Sequence, residues 1–177
     1  MALELVNLDS ETRQHMIAEV ERDVSIGTLY TGRYLSDVGL ERYPGLLREA
    51  IEYGTDESLA SALSEPGLFA ESYQKRTPSG GYTISKVPYT APTTLAEGEF
   101  NRFYLRGLCQ RAIAGGQAVE IYRARDSVTP RLESEAMIGR HLDAAALLVD
   151  LREHVGVDTA LGLPPGPNSG LSGRLTD

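Results

Sequence analysis

The stretch TLAEGEFNRFYLRGLCQRAIAGGQAVEIYRAR, residues 94–125, decides how this chain is read. Thr94 followed by Glu97 has the spacing of a capping box, in which the hydroxyl accepts from a backbone N–H three residues on and the glutamate reaches back. The spacing predicts a helix over 95–114. Phe100, Phe103, Tyr104, Leu108, Ala112 and Ile113 give it a wide apolar face. Arg102, Arg106 and Arg111 fall elsewhere, the first two one turn apart. Gly107 weakens the helix and permits close packing, and Gly115-Gly116 ends it. Val119 to Arg125 then alternates and is rich in β-branched residues, the best strand pattern of the chain. Asp126-Ser127 and Pro130 break it, and a short helix around 133–140 follows. Asp143 caps a helix at 144–154 with Leu147, Leu148, Leu151 and Val155 on one side. Residues 94–160 thus read as a helix–strand–helix core.

Residues 1–65 read as a helical section. Leu8-Asp9-Ser10 offers a cap for a helix carrying Met16, Ile17, Val20 and Val24, closed by Gly27. A second helix is expected to start near Tyr43-Pro44, since proline suits the first helical position, and to end at Gly54. Thr55-Asp56 caps a third, short one. Residues 29–35 alternate loosely and read as a connector. The pattern changes at residue 68. Thr77-Pro78-Ser79-Gly80-Gly81 is a strong turn signal, and its flanks, Glu71–Arg76 and Tyr82–Val87, read as a β-hairpin excursion within residues 68–92. A lone two-stranded hairpin is marginal in water, so it must lie on its own domain or on a neighbour. Pro88 and Pro92 are expected to keep the chain extended up to residue 94. Residues 1–160 form one α+β domain on this reading. Residues 161–177, Pro- and Gly-rich but with spaced leucines, read either as a partly disordered terminus or as an extended C-terminal arm whose leucines plug grooves on the chain's own body or on another subunit.

Composition bounds the function. With 177 residues, 41% hydrophobic and 24% charged, the chain suits one globular domain. No apolar run is long enough for a transmembrane helix. Met1-Ala2-Leu3-Glu4 lacks the pattern of a signal peptide, so the expected compartment is the cytosol. Cys109 is the sole cysteine, which excludes an internal disulfide and multi-cysteine metal sites. Three histidines make a multi-histidine metal centre unpromising, and no cofactor motif is present. The net charge of −8 is unevenly placed. Residues 1–70 hold 13 acids and 5 bases, residues 71–140 hold 7 and 10, and residues 141–177 hold 5 and 2. Overall acidity disfavours broad coating of nucleic acid, leaving it at most a minor partner.

Candidate chemistry is sparse. Arg102, Arg106 and Arg111 on one helix, with Arg123 and Arg125 on the next strand, would form an anion- or partner-binding cluster if helix and strand pack together. Alternatively they pair with Glu97, Glu99, Glu120, Glu133 or Glu135. The Glu97/Glu99 and Glu133/Glu135 pairs read as first-turn helix acids. Cys109 reads as a buried structural cysteine, and no nucleophile elbow or phosphate loop occurs. Leu163, Leu171, Arg174 and Leu175 are the candidates by which the arm would engage another subunit.

The expected function is a non-enzymatic, self-assembling structural protein, a shell- or capsid-like homo-oligomer whose main partner is itself. The order of hairpin and long helix is similar to the layout of shell-forming proteins of tailed viruses and bacterial nanocompartments. That is a likeness of architecture over about a quarter of the chain, carried by no motif. The alternatives are a small cytosolic adaptor that binds a protein partner through its acidic helices, and a module that binds an anionic ligand through the arginines. An enzyme is the less favoured class, with no catalytic residue to name.

Overall fold

The computed structural model describes residues 2–126, 132–155 and 170–176. Three helices come first. In α1 (Ser10–Ile26) the Asp9 carboxylate accepts from the Thr12 amide at 3.0 Å, and Gly27 ends the helix in the left-handed region at φ 70°. In α2 (Asp37–Tyr53) the cap is Ser36, whose hydroxyl oxygen accepts from the Gly39 amide at 3.0 Å. The expected start at Tyr43-Pro44 is corrected: Pro44 lies inside the helix. Proline there removes one intrahelical bond, but Tyr43, Leu47 and Ile51 on the same helix are fully buried, and packing outweighs the local preference. In α3 (Asp56–Leu63), Thr55 and Ser58 cap each other reciprocally.

The hairpin follows where expected, with β1 (Ser72–Arg76) antiparallel to β2 (Tyr82–Lys86) and Arg76 opposite Tyr82 next to the turn. The Thr77 amide donates to the Gly81 carbonyl at 2.8 Å, and Gly80 takes φ 84°, which closes that turn. Next is α4 (Ala91–Gly115), longer at its N-terminus than 95–114. The capping box at Thr94 is not used. Thr94 is already helical, its amide donating to the Thr90 carbonyl, and Pro92 sits in the first turn rather than holding the chain extended. Then come β3 (Val119–Arg123), the single turn α5 (Leu132–Glu135), β4 (His141–Leu142), α6 (Ala144–Glu153) with Asp143 as its cap, and β5 (Leu171–Leu175).

The fold is α+β, with six helices and two small antiparallel sheets among the described residues. The second sheet has the order β4-β3-β5. One continuous core runs from Met16 and Val20 through Phe100, Phe103 and Leu108 to Val119, Leu147 and Leu171. Its axis is α4, against which α1, α3, α6 and β5 all pack. This corrects the picture of one apolar face: every residue from Arg102 to Cys109 is buried, whereas Ile113 is 46% exposed. A helix covered on nearly all sides carries no single apolar stripe.

Of the alternatives open to the tail, residues 171–175 take the chain's own body: they form an edge strand of its sheet, paired with β3 along its whole length, so Leu171, Arg174 and Leu175 are engaged within the chain. Leu171 is buried in the core and Leu175 packs against it. Arg174 lies opposite Glu120 and donates to its carboxylate at 2.8 and 3.0 Å. Leu163 lies outside the described residues.

Candidate functional site

The five arginines do not converge. Each holds a carboxylate, Arg102 on its own helix and the other four on a different element. Arg106 is fully buried: Nε donates to Glu19 Oε2 at 2.8 Å, and Nη1 and Nη2 fork onto Asp23 at 2.6 and 2.8 Å. Glu19 also accepts from Gln110 at 2.8 Å and from Arg152 Nε at 3.0 Å. Burial alone would raise the Glu19 carboxyl, but hydrogen bonds from Arg152 and Gln110 and the charge of Arg106 hold it down at about 2. The network ties α1 to α4 and α6. Its geometry is that of an ion cluster whose members satisfy one another.

Arg111 reaches Asp9 at 2.8 Å, Glu11 at 3.0 Å and Thr12 Oγ1 at 2.7 Å, holding the start of α1. Arg123 pairs with Glu135 of α5. Arg125 pairs with Glu97 at the edge of a recess of about 320 Å³ that Asp56 and Glu57 also line. Three carboxylates around one guanidinium make that recess hostile to an anion. Arg102 bonds Glu99 at 3.2 Å and lines a cleft at the root of the hairpin. Cys109 is buried, and its thiol is pushed up to about 12 by burial and by the Glu19 charge, so it offers no nucleophile at ordinary pH. Among the described residues no cluster of three or more His, Cys, Asp or Glu side chains could hold a metal ion. No helix of the described residues is long and apolar enough to cross a membrane.

The surface feature that lacks a counterpart in the fold is the hairpin. Residues directly opposite each other share one face of an antiparallel pair. Here the pairs Ser72/Lys86, Gln74/Ile84 and Arg76/Tyr82 make a wholly exposed face. Ile84 is 75% exposed and Tyr82 70%. The other face is anchored at one end: Tyr73 meets the ring of Tyr34 edge-on, centroids 4.8 Å apart. Residues 72–96 contain Lys75, Arg76 and Lys86 and no acid, whereas the rest of the chain holds 14 bases against 25 acids. A basic, partly apolar ribbon thus stands on a strongly acidic body. The turn signal in the sequence marks this element, but its exposure on one whole face was not legible there.

Comparison with family models, with curated proteins and with solved structures finds no match.

Proposed function

We propose that the chain is a non-enzymatic self-assembling protein whose hairpin docks on the acidic body of a second copy, giving a homo-oligomer of the shell-like kind. The observation that carries this reading is the exposed hairpin face. A two-stranded ribbon with no sheet partner is marginal alone, and Tyr82 and Ile84 gain stability by burial against a neighbour. The occupant follows from charge: the ribbon is basic and the remainder of the same chain is acidic. A matching surface is the outer side of α2, where Val38 is 54% and Tyr53 83% exposed beside exposed Glu41, Glu49 and Glu52. A hairpin on one copy meeting a helix on the next is a head-to-tail contact, which closes into rings or propagates into larger assemblies.

The test is absolute mass by light scattering on a sizing column, for the wild type and for a Tyr82→Ser, Ile84→Ser double variant. Both positions are exposed, so the fold should lose no more than about 0.5 kcal/mol per site. The wild type should show a mass several times the 19.2 kDa of one chain, falling as salt is added because the contact is partly ionic. The variant should fall toward the single chain. A wild type that stays at 19.2 kDa at every concentration sinks the proposal. So does a variant that keeps the wild-type mass.

A further inference from the structure

Below the hairpin root, the first turns of α4 form one wall of a cleft of about 390 Å³, inside the range of roughly 300–1,000 Å³ usual for small-ligand sites. A glycine marks that wall. Gly98 and Gly107 both lie inside α4, where glycine weakens a helix relative to alanine. Gly107 has a packing cause: a Cβ there would stand 2.9 Å from Met16 Cγ and from the Thr12 carbonyl oxygen, so α1 and α4 could not approach. Gly98 has none. A Cβ at 98 would meet nothing within 4 Å, and the position faces the cleft. Glycine at 98 therefore leaves space rather than fitting a neighbour.

What surrounds that space is selective. Arg102, one turn further along, has a side chain only 6% exposed. Besides Glu99 at 3.2 Å it reaches the His154 carbonyl at 3.3 Å, and among the described residues these two use only part of its five donors. Tyr30 lies under its guanidinium, 6.0 Å from centroid to Cζ. Behind this wall, and not part of the lining itself, the fully buried Tyr43 hydroxyl has no hydrogen-bond partner among the described residues, and Glu99, Arg102 and Tyr30 are its electrostatic neighbours. A buried hydroxyl without a partner is uncommon and calls for one. Arg33 stands exposed at the mouth. The charged lining residues are then two arginines and one glutamate, a balance that suits a single negative charge. The N-terminus of α4 adds to it, since Thr90 makes no side-chain cap and lines the same cleft. Tyr34, Phe69 and Leu95 complete an otherwise apolar wall.

We propose that this cleft binds a small organic monoanion, a carboxylate joined to a planar ring, with the carboxylate at Arg102 and the ring against Tyr30 and Phe69. The site is independent of hairpin docking and stands or falls separately.

The experiment is a titration of the full chain with benzoate, followed by NMR shifts, with benzamide as the neutral analogue of the same shape. Benzoate should saturate, and benzamide should bind at least about tenfold more weakly. Gly98→Leu fills the cleft from a helix position that favours leucine, so its melting temperature should match or exceed that of the wild type while benzoate affinity drops at least about tenfold. Arg33→Gln, at an exposed position whose guanidinium stands 5.7 Å from the centroid of the Tyr34 ring, should weaken benzoate several-fold and leave benzamide unchanged. The proposal is overturned if benzoate fails to saturate by about 10 mM, if benzamide binds as well, if folded Gly98→Leu binds like the wild type, or if Arg33→Gln leaves benzoate affinity unchanged.

Discussion

Replacing Glu19 by glutamine removes one charge from the network joining α1, α4 and α6. Glu19 is 2% exposed and accepts from Arg106, Arg152 and Gln110. Its carboxyl falls from an ordinary 4.5 to about 2, a gap that corresponds to about 3 kcal/mol of folding stability. Because the folded-state value is depressed, that stability is fully present above pH 4.5 and is lost as pH falls through 2. By about pH 3 roughly 2 kcal/mol of it has gone. Glutamine at 19 has no such titration. Glu19→Gln should therefore cost about 3 kcal/mol near pH 7 and only about 1 kcal/mol near pH 3. Urea unfolding of both proteins across that pH range, followed by circular dichroism, measures the difference, and other acids cancel in it. A cost below about 1 kcal/mol near pH 7 would place Glu19 with exposed surface pairs. An equal cost at both ends would break the link between the carboxyl and the arginines. Either result refutes the reasoning.

Gly107→Ala should destabilise by about 1–3 kcal/mol despite alanine's better helix propensity, because the added methyl meets Met16 Cγ and the Thr12 carbonyl at 2.9 Å; thermal melts check the sign, and a stabilised variant would mean that α1 shifts freely. Cys109 should stay inert to an aromatic disulfide reagent in the native chain at mildly alkaline pH, since burial and the Glu19 charge push its thiol up to about 12, and should react as one thiol per chain after denaturation. Fast reaction in the native state would contradict the packing of α4.

Local chemistry was legible in the sequence wherever one signal acted alone. Asp9, Thr55 and Asp143 are caps in the structure because each stands just before an apolar periodic run. Two helices start upstream of the signals read for them: α2 at Ser36 rather than Pro44, and α4 at Thr90-Ala91-Pro92 rather than the Thr94/Glu97 pair. The strand at 171–175 was hidden by its glycine. A Cβ at Gly173 would lie 2.6 Å from Val119 Cγ1 and 2.9 Å from Leu105 Cδ2, so the residue that looks like a strand breaker is what lets the strand lie on the core. The arginines show the limit most clearly. Periodicity placed Arg106 off the apolar face of its helix, yet its partners Glu19 and Asp23 are more than 80 positions away on a helix that closes over it. Nothing within one turn of Arg106 announces them. The cleft was equally silent, because Gly98 between two glutamates has meaning only once its neighbours in space are known.

Among the described residues the hairpin is held to the body at its root, which makes its anchoring testable. Phe69 bridges Leu35, the Ala70 amide donates to the Tyr34 carbonyl at 2.9 Å, and the Tyr34 and Tyr73 rings meet at 4.8 Å. The first two contacts lie before β1; only the ring pair reaches into the ribbon. An edge-to-face pair contributes about 0.5–1.5 kcal/mol beyond its buried area, an amount comparable to the stability of an isolated ribbon and small beside that of the domain. Tyr73→Ala should thus leave the global melt within a few degrees of the wild type while hydrogen exchange over 72–86 quickens several-fold. The same substitution should weaken self-association, because a ribbon that must be ordered on contact surrenders part of the contact energy to that ordering. Unchanged exchange over 72–86 would mean that the ribbon is rigid without its anchor, and a collapse of the whole fold would mean that it is not an appendage at all.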